Sequence, residues 1–147
     1  MNLPDPLDIL IVEDNPHDAE LTVRTLKKQH LANRIFVVED GAEALDFIFC
    51  REKYSDRDNS KPVKLVFLDL KLPKVNGLEV LKEIKSNPAT KNMIIVIITS
   101  SKEDPDIKSA YELGANSYIV KPIDFDAFHQ SMLSAGLYWL VVNESPK

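Results

Sequence analysis

The chain is poor in the features that would tie it to an oxidising compartment, a membrane or a nucleic acid. Its 147 residues include one cysteine, Cys50, so an internal disulfide is excluded. Cys50 lies among Phe47, Ile48 and Phe49, and the expected state is a buried, inert thiol. No apolar run is long enough to span a bilayer. The opening MNLPDPLD has no positive region followed by an apolar core, so it is not a signal peptide. Basic residues are outnumbered, 18 Lys and Arg against 23 Asp and Glu, for a net charge of -5. They form no block, which argues against nucleic-acid and anionic-membrane surfaces. The three histidines, His17, His30 and His129, have no metal-ligand spacing. The expected location is the cytoplasm. The length and the 44% hydrophobic, 28% charged composition suit one globular domain over residues 1–147.

What is present is organised around residues 64–77, KLVFLDLKLPKVNG. Four apolar residues without alternation, Leu65–Leu68, indicate a strand buried on both faces. A single carboxylate, Asp69, ends it, and Pro73, Asn76 and Gly77 mark the turn beyond. In an open α/β sheet, ligands bind at that end of the strand. The plainer reading of Asp69 is a helix cap, but Asn76 is better placed to cap a helix starting at Gly77.

The rest of the chain repeats this pattern. Residues 1–7 carry two prolines and read as a lead-in. Further strands are expected at Ile9–Val12, ending in Glu13-Asp14, at Ile35–Val38, at residues 93–98, ending in Thr99-Ser100-Ser101, and at Ser117–Val120, ending in Lys121-Pro122. Helices follow each. The first runs from Pro16 to about residue 30, with Ala19, Thr22, Val23 and Leu26 on one face. The second is capped by Asp40 and buries Ala44, Phe47 and Ile48. The third buries Gly77, Val80, Leu81 and Ile84 and stops at Ser86-Asn87-Pro88. The fourth runs from Asp104-Pro105 to Gly114 with Ile107, Ala110 and Tyr111 inside. The last, over residues 124–143, carries Phe125, Phe128, Met132, Ala135 and Trp139. Residues 51–62, REKYSDRDNSKP, read as a long surface loop with at most one helical turn. Five strand–helix units predict a parallel, doubly wound α/β sheet with helices on both faces and a crevice at the C-terminal strand ends.

That crevice would hold Glu13, Asp14, Asp69, Thr99 and Lys121. Each alone has an ordinary explanation: a solvated turn, a helix cap, a surface lysine. Together they form one chemical set. Three carboxylates at one edge repel unless they share a cation, and oxygen ligands with open positions suit a hard divalent ion, magnesium first. A lysine and a hydroxyl beside them suit phosphoryl oxygens. Asp69 is then a candidate covalent acceptor.

With IVEDNP at residues 11–16, VFLDLKLPKVNG at 66–77, IIVIITSS at 94–101 and GANSYIVKPID at 114–124, the chain resembles the receiver domains of two-component response regulators over nearly its whole length. The resemblance implies a flavodoxin-like sheet of order 2-1-3-4-5 with five helices. It implies that Asp69 accepts phosphate from a sensor histidine kinase. Glu13, Asp14, Asp69 and the backbone carbonyl of Lys71 would bind Mg2+, while Thr99 and Lys121 contact the phosphoryl group. Thr99 and Tyr118 would form the switch, repacking residues 103–114. Such a protein is no enzyme beyond its own phosphotransfer and autodephosphorylation. The Lys71 side chain is expected in solvent.

With only ESPK beyond the last helix, the chain resembles the stand-alone regulators, and the long loop, the TSS and the YWL ending resemble those paired with phytochrome kinases. Leu133, Leu137, Leu140 and Val141 are left over on the last helix, with Gly136 between them, and predict a two-fold homodimer there. The rivals fit less well. A flavodoxin would need a phosphate-binding Ser/Thr/Gly loop where EDNPHD stands. A haloacid-dehalogenase-type phosphatase would need an acid at Lys71. A binding module that had lost phosphorylation would not keep Asp69, Thr99 and Lys121 together.

Overall fold

The computed structural model describes residues 9–32, 34–58 and 63–144; the expected lead-in, the end of the 51–62 loop and the last three residues lie outside it. Strands β1 (Ile9–Val12), β2 (Ile35–Val38), β3 (Leu65–Leu68), β4 (Ile94–Thr99) and β5 (Ser117–Val120) alternate with helices α1 (Pro16–Lys28), α2 (Gly41–Ile48), α3 (Gly77–Ser86), α4 (Asp104–Glu112) and α5 (Phe125–Leu137). All neighbouring strands are parallel, in the order β2-β1-β3-β4-β5. The order reverses beside β1, so the switch point that parts the connecting loops lies between β1 and β3. Among the described residues no helix is long and apolar enough to cross a membrane.

The continuous apolar runs of β1, β3 and β4 fill two cores. Leu10, Val12, Val66, Leu68, Ile95 and Ile97 point into the core under α2, α3 and α4. Ile9, Ile11, Leu65, Phe67, Val96 and Ile98 point into the other, where Leu26 of α1 and Phe128, Met132 and Ala135 of α5 close it. The helices start where side chains satisfy their first N–H groups: Asn15, Asp40, Asn76 and Asp124 each accept from backbone amides in the first turn.

Several expectations are corrected. Strand β4 begins at Ile94 and includes Thr99, one residue later at each end than expected. Thr25 joins Ala19, Thr22 and Leu26 on the buried side of α1, while Val23 is half-buried. Tyr111, expected inside, is 50% exposed, and Phe125 is 61% exposed. Helical spacing admits Tyr111 to an inner face, but small Ala110 fills the space under α4; Phe125 is the first residue of α5. Cys50 is half-buried rather than buried. It has a positive φ at the end of α2 and receives a contact from Arg57 Nη1 at 3.4 Å. Residues 51–58 are more than surface loop. A 3-10 turn, Glu52–Tyr54, drops Tyr54 into the core at 3% exposure, edge-on to Phe47 at 5.0 Å. Gly136 does allow close approach, but within the chain: a Cβ there would meet Leu26 Cδ2 at 2.6 Å. The last helix continues past Leu137 as a π-helical turn, Tyr138–Val142.

The loop after β3 is clamped from two sides. Gly77 N–H donates to the Leu70 carbonyl at 2.9 Å, and Gly41 N–H to the Pro73 carbonyl at 3.3 Å. A Cβ on Gly77 would sit 2.2 Å from the Asp69 carbonyl oxygen and 2.5 Å from Leu70 Cα, both rigid backbone. Gly77→Ala is therefore expected to destabilise the fold by roughly 1–3 kcal/mol, as other overpacked sites do. Urea denaturation should show a lower midpoint at an unchanged slope; a midpoint equal to the parent's would mean the loop yields freely.

Candidate functional site

The ends of three central strands build the site. Val12 pairs with Leu68, so Glu13 and Asp69 leave adjacent strands side by side. The Asp69 N–H still donates to the Val12 carbonyl at 3.1 Å and the Glu13 N–H to the Val38 carbonyl at 3.0 Å. Both acids are thus fixed to the sheet by backbone bonds and are buried. Asp14, one residue on, is exposed. One carboxylate oxygen from each of Glu13, Asp14 and Asp69 lies within 4.8 Å of the others. Among the described residues this is the one His/Cys/Asp/Glu group with metal-ligating spacing. Its all-oxygen, partly open character fits a hard divalent cation that keeps several waters.

Lys121 enters from the fourth strand end of the set. Thr99 pairs with Val120, and the Lys121 N–H donates to the Thr99 carbonyl at 2.7 Å. The Lys121 ammonium donates to Glu13 Oε1 at 2.5 Å, to Asp69 Oδ2 at 2.9 Å and to Asp18 Oδ2 at 2.9 Å. The other oxygens are also held: Asp69 Oδ1 accepts from Lys71 N–H at 3.1 Å, and Glu13 Oε2 from Asn15 N–H at 3.2 Å. The Asp69 carboxylate is therefore fixed in rotation, its two oxygens on different donors.

The charge states follow from burial and an excess of acid. Burial pushes the Glu13 carboxyl up, and the nearby Asp69 charge adds to this; although Lys121 opposes it, Glu13 reaches about 7. Burial alone would lower the Lys121 ammonium, but its bonds to Glu13, Asp69 and Asp18 outweigh that and raise it. The two shifts are compatible because several carboxylates surround one ammonium. The lysine keeps its proton, and the surplus negative charge is relieved at Glu13.

Thr99 is fully buried at the end of β4, its Oγ1 accepting from Ser101 N–H at 3.4 Å. Ser101, also buried, donates its hydroxyl to Asp106 Oδ2 at 2.5 Å, and its carbonyl accepts from the Tyr118 hydroxyl at 2.8 Å. A chain of hydrogen bonds thus runs from Thr99 through Ser101 to the first turn of α4 and to β5.

The structure brings together Glu13, Asp14, Asp69 and Lys121 as the sequence predicts, with Thr99 beside them. The Lys71 side chain is exposed, as expected, and only its N–H reaches Asp69. The histidines stay apart: His17 and His30 are exposed, and His129 Nδ1 bonds Thr25 Oγ1 at 2.9 Å. Sequence reasoning missed Asp18. An acid in a first helical turn is the ordinary partner of the helix dipole, so its identity carries no signal. It also missed Ser101 and Asp106, whose pairing depends on the path of the β4–α4 loop.

The comparisons with known proteins agree with this geometry. The family model for the response regulator receiver domain matches residues 9–133. The probable methanogenesis regulatory protein FilR2 of Methanothrix harundinacea is 38% identical over 142 residues, 97% of this chain and 89% of its own. The phosphorylated cyanobacterial phytochrome response regulator RcpA has a solved structure with a TM-score of 0.89 at 32% identity, covering 96% of this chain and 99% of that one. Rcp1 of Synechocystis, solved in an Mn2+-bound form, gives a TM-score of 0.89 at 31% identity, covering 98% of this chain and 100% of that one. By sequence, sheet order and the acidic strand ends alike, the chain belongs to the response regulator receiver domain family, the phosphoacceptor module of two-component signalling.

Proposed function

We propose that Asp69 is the residue that takes the phosphoryl group, from a phosphohistidine on a sensor histidine kinase, with Mg2+ held by Glu13, Asp14, Asp69 and the backbone carbonyl of Lys71. The observation that carries this reading is Asp69 itself: a buried carboxylate held by Lys71 N–H and by Lys121, in the one oxygen cluster among the described residues fit for a cation. In the transfer, an Asp69 oxygen bonds to phosphorus as the P–N bond breaks and its electron pair leaves with the imidazole. The Lys121 ammonium and the Thr99 hydroxyl supply hydrogen bonds to phosphoryl oxygens, and the divalent ion supplies charge neutralisation. The same groups serve dephosphorylation, in which a water oxygen bonds to phosphorus as the P–O bond to Asp69 breaks and the carboxylate is restored.

The signal leaves through Thr99 and Tyr118. For Thr99 to turn toward the phosphoryl group, its contact with Ser101 N–H must break, and Tyr118 is tied to the same Ser101. Residues 103–114 repack in response, as a shift between two populated arrangements. The phytochrome linkage of RcpA supports a phytochrome-like kinase as partner. Its docking site is supported by an open groove of about 330 Å³ beside Asp18, where Leu21, the fully exposed Ile123 and Phe125 offer apolar surface. The protein is read as one cytoplasmic domain that forms a two-fold homodimer. Leu137 and Val141, 46% and 63% exposed, lie with Tyr138 on the end of α5, an apolar surface that invites a second copy.

Acetyl phosphate with Mg2+ is expected to add one phosphoryl group, seen by intact mass, and Asp69→Asn should abolish it. Equal labelling of that variant would move the acceptor elsewhere.

Cation binding should be linked to the Glu13 proton. With that carboxyl at about 7, Mg2+ must displace a proton below neutrality, so affinity should fall about tenfold from about pH 8 to about pH 6. Because the folded value lies above the ordinary 4.5, the stability that Glu13 lends the metal-free fold is full below about 4.5 and lost as pH rises through about 7. Calorimetric titration at several pH values checks this; a flat profile would show Glu13 ionised throughout.

Light scattering should find a dimer before phosphorylation and a folded monomer for the Leu137→Asp, Val141→Asp pair. A monomeric parent protein at high concentration would exclude this interface.

A further inference from the structure

We propose that Asp18 is a positioning residue for phosphoryl transfer: it anchors the Lys121 ammonium at the mouth of the site so that the lysine meets the phosphoryl group when Glu13 and Asp69 turn to the cation. This rests on Asp69 being the acceptor. An ammonium has three protons, and here each has a carboxylate: Glu13 at 2.5 Å, Asp69 at 2.9 Å and Asp18 at 2.9 Å. Two of the three belong to the cation cluster; Asp18 does not. A divalent ion held by Glu13 and Asp69 would repel the ammonium and compete with it for those carboxylates. Without a further partner, a lysine on a flexible stem would leave for solvent. Asp18 is the one of the three that lies outside the cation cluster and would be left to hold it.

Asp18 is built for that task. Its N–H is already satisfied by the Asn15 cap at 3.2 Å, and its carbonyl accepts from Thr22 Oγ1 at 2.8 Å. The backbone is pinned at both ends, so the carboxylate is placed by α1 and has no capping duty. Thr22 and Ala19 are buried against the sheet, which fixes the height of α1 over the strand ends. The Asp18 side chain is 28% exposed while that of Lys121 is 10% exposed, so the pair spans the boundary between site and solvent. The simpler reading is a first-turn acid favoured by the helix dipole. On that reading Asp18 is one more negative charge near an anionic phosphodonor, and its removal should speed phosphorylation.

The two readings therefore differ in sign. Labelling by acetyl phosphate is expected to be about tenfold slower in Asp18→Asn, the scale of one lost charge-assisted hydrogen bond. In a Lys121→Ala background the same change should give no slowing. Labelling as fast as the parent's in the single variant, or equal slowing in both backgrounds, would overturn the proposal. A readout without phosphorylation keeps the test independent of the acceptor's identity. In the 15N-labelled, metal-free protein, Lys121 should give a resolved ammonium resonance, protected by its three acceptors. Asp18→Asn should broaden it by solvent exchange while the denaturation midpoint of the fold stays within that of ordinary surface changes. An undisturbed ammonium signal would show that Asp18 does not hold the lysine. Failure of the parent to label, with that signal lost in the variant, would instead refute Asp69 as the acceptor and leave the anchoring in place.

Discussion

One ammonium group holds this site together. Glu13, Asp69 and Asp18 come from β1, β3 and α1, and Lys121 from the end of β5 joins them. With Asp14 at the rim, four carboxylates face one lysine. Buried charges of one sign at such separations interact strongly, because little water screens them. The lysine offsets part of this, and the Glu13 proton relieves more. What remains is a standing deficit of positive charge at the switch point of the sheet. Such a site has an affinity for a divalent cation built into it, and the cation in turn lets a dianionic group approach an anionic nucleophile.

The deficit can persist only on a rigid frame. Among the described residues, no buried side-chain nitrogen or oxygen lacks a hydrogen-bond partner. The β3–α3 loop is tied by Gly77 to the Leu70 carbonyl and by Gly41 to the Pro73 carbonyl, and Lys74, at positive φ, reaches Asp40 at 3.5 Å. These contacts hold the backbone on either side of Asp69 between α2 and α3. The opposite side of the site is built differently. Strand β5 is half-buried along most of its length and lies at the sheet edge, and α4 buries only Ala110 fully. Helix α4 is tied to the Thr99 side chain by single hydrogen bonds through Ser101. A perturbation at Asp69 therefore meets stiff structure on the β1–α2–α3 side and yielding structure on the β4–α4–β5 side.

This division explains what was legible in the sequence. The strands of the stiff side are uninterrupted apolar runs, and Ile9–Val12, Ile35–Val38 and Leu65–Leu68 were readable residue by residue. The acids follow those runs directly, so their meeting needs only parallel pairing in register. Asp69, Glu13, Asp14 and Lys121 were thus accessible from strand ends alone. Errors arise where burial depends on neighbouring elements: Tyr111 lies on a helix whose spacing fits an inner face, but the covering layer stops short of it. Tyr54 shows the reverse case. Its polar neighbours suggest a loop, but Phe36 and Phe47, stacked at 4.9 Å, leave an aromatic slot that it fills. Asp18 was invisible because a helix-start acid needs no special reason to exist.

The same geometry ties the site to the rest of the molecule through α1. That helix presents Asp18 to Lys121 at its first turn, buries Thr25 against His129 of α5 two turns later, and packs Leu26 against Gly136. The missing Cβ at Gly136 brings the two helices close enough for these contacts. Helix α5 then continues without a break into the apolar Tyr138–Val142 turn, where Trp139 Nε1 donates to Ser117 Oγ of β5 at 3.1 Å. A shift of Lys121 has two routes outward: along β5, by way of Ser117 and Trp139, and through Asp18 along α1 to α5. Both arrive at the same end of α5. Packed helices respond to such pushes by small rigid displacements rather than by bending. Contiguous packing therefore joins the C-terminal apolar surface to the site, although among the described contacts none links the two directly.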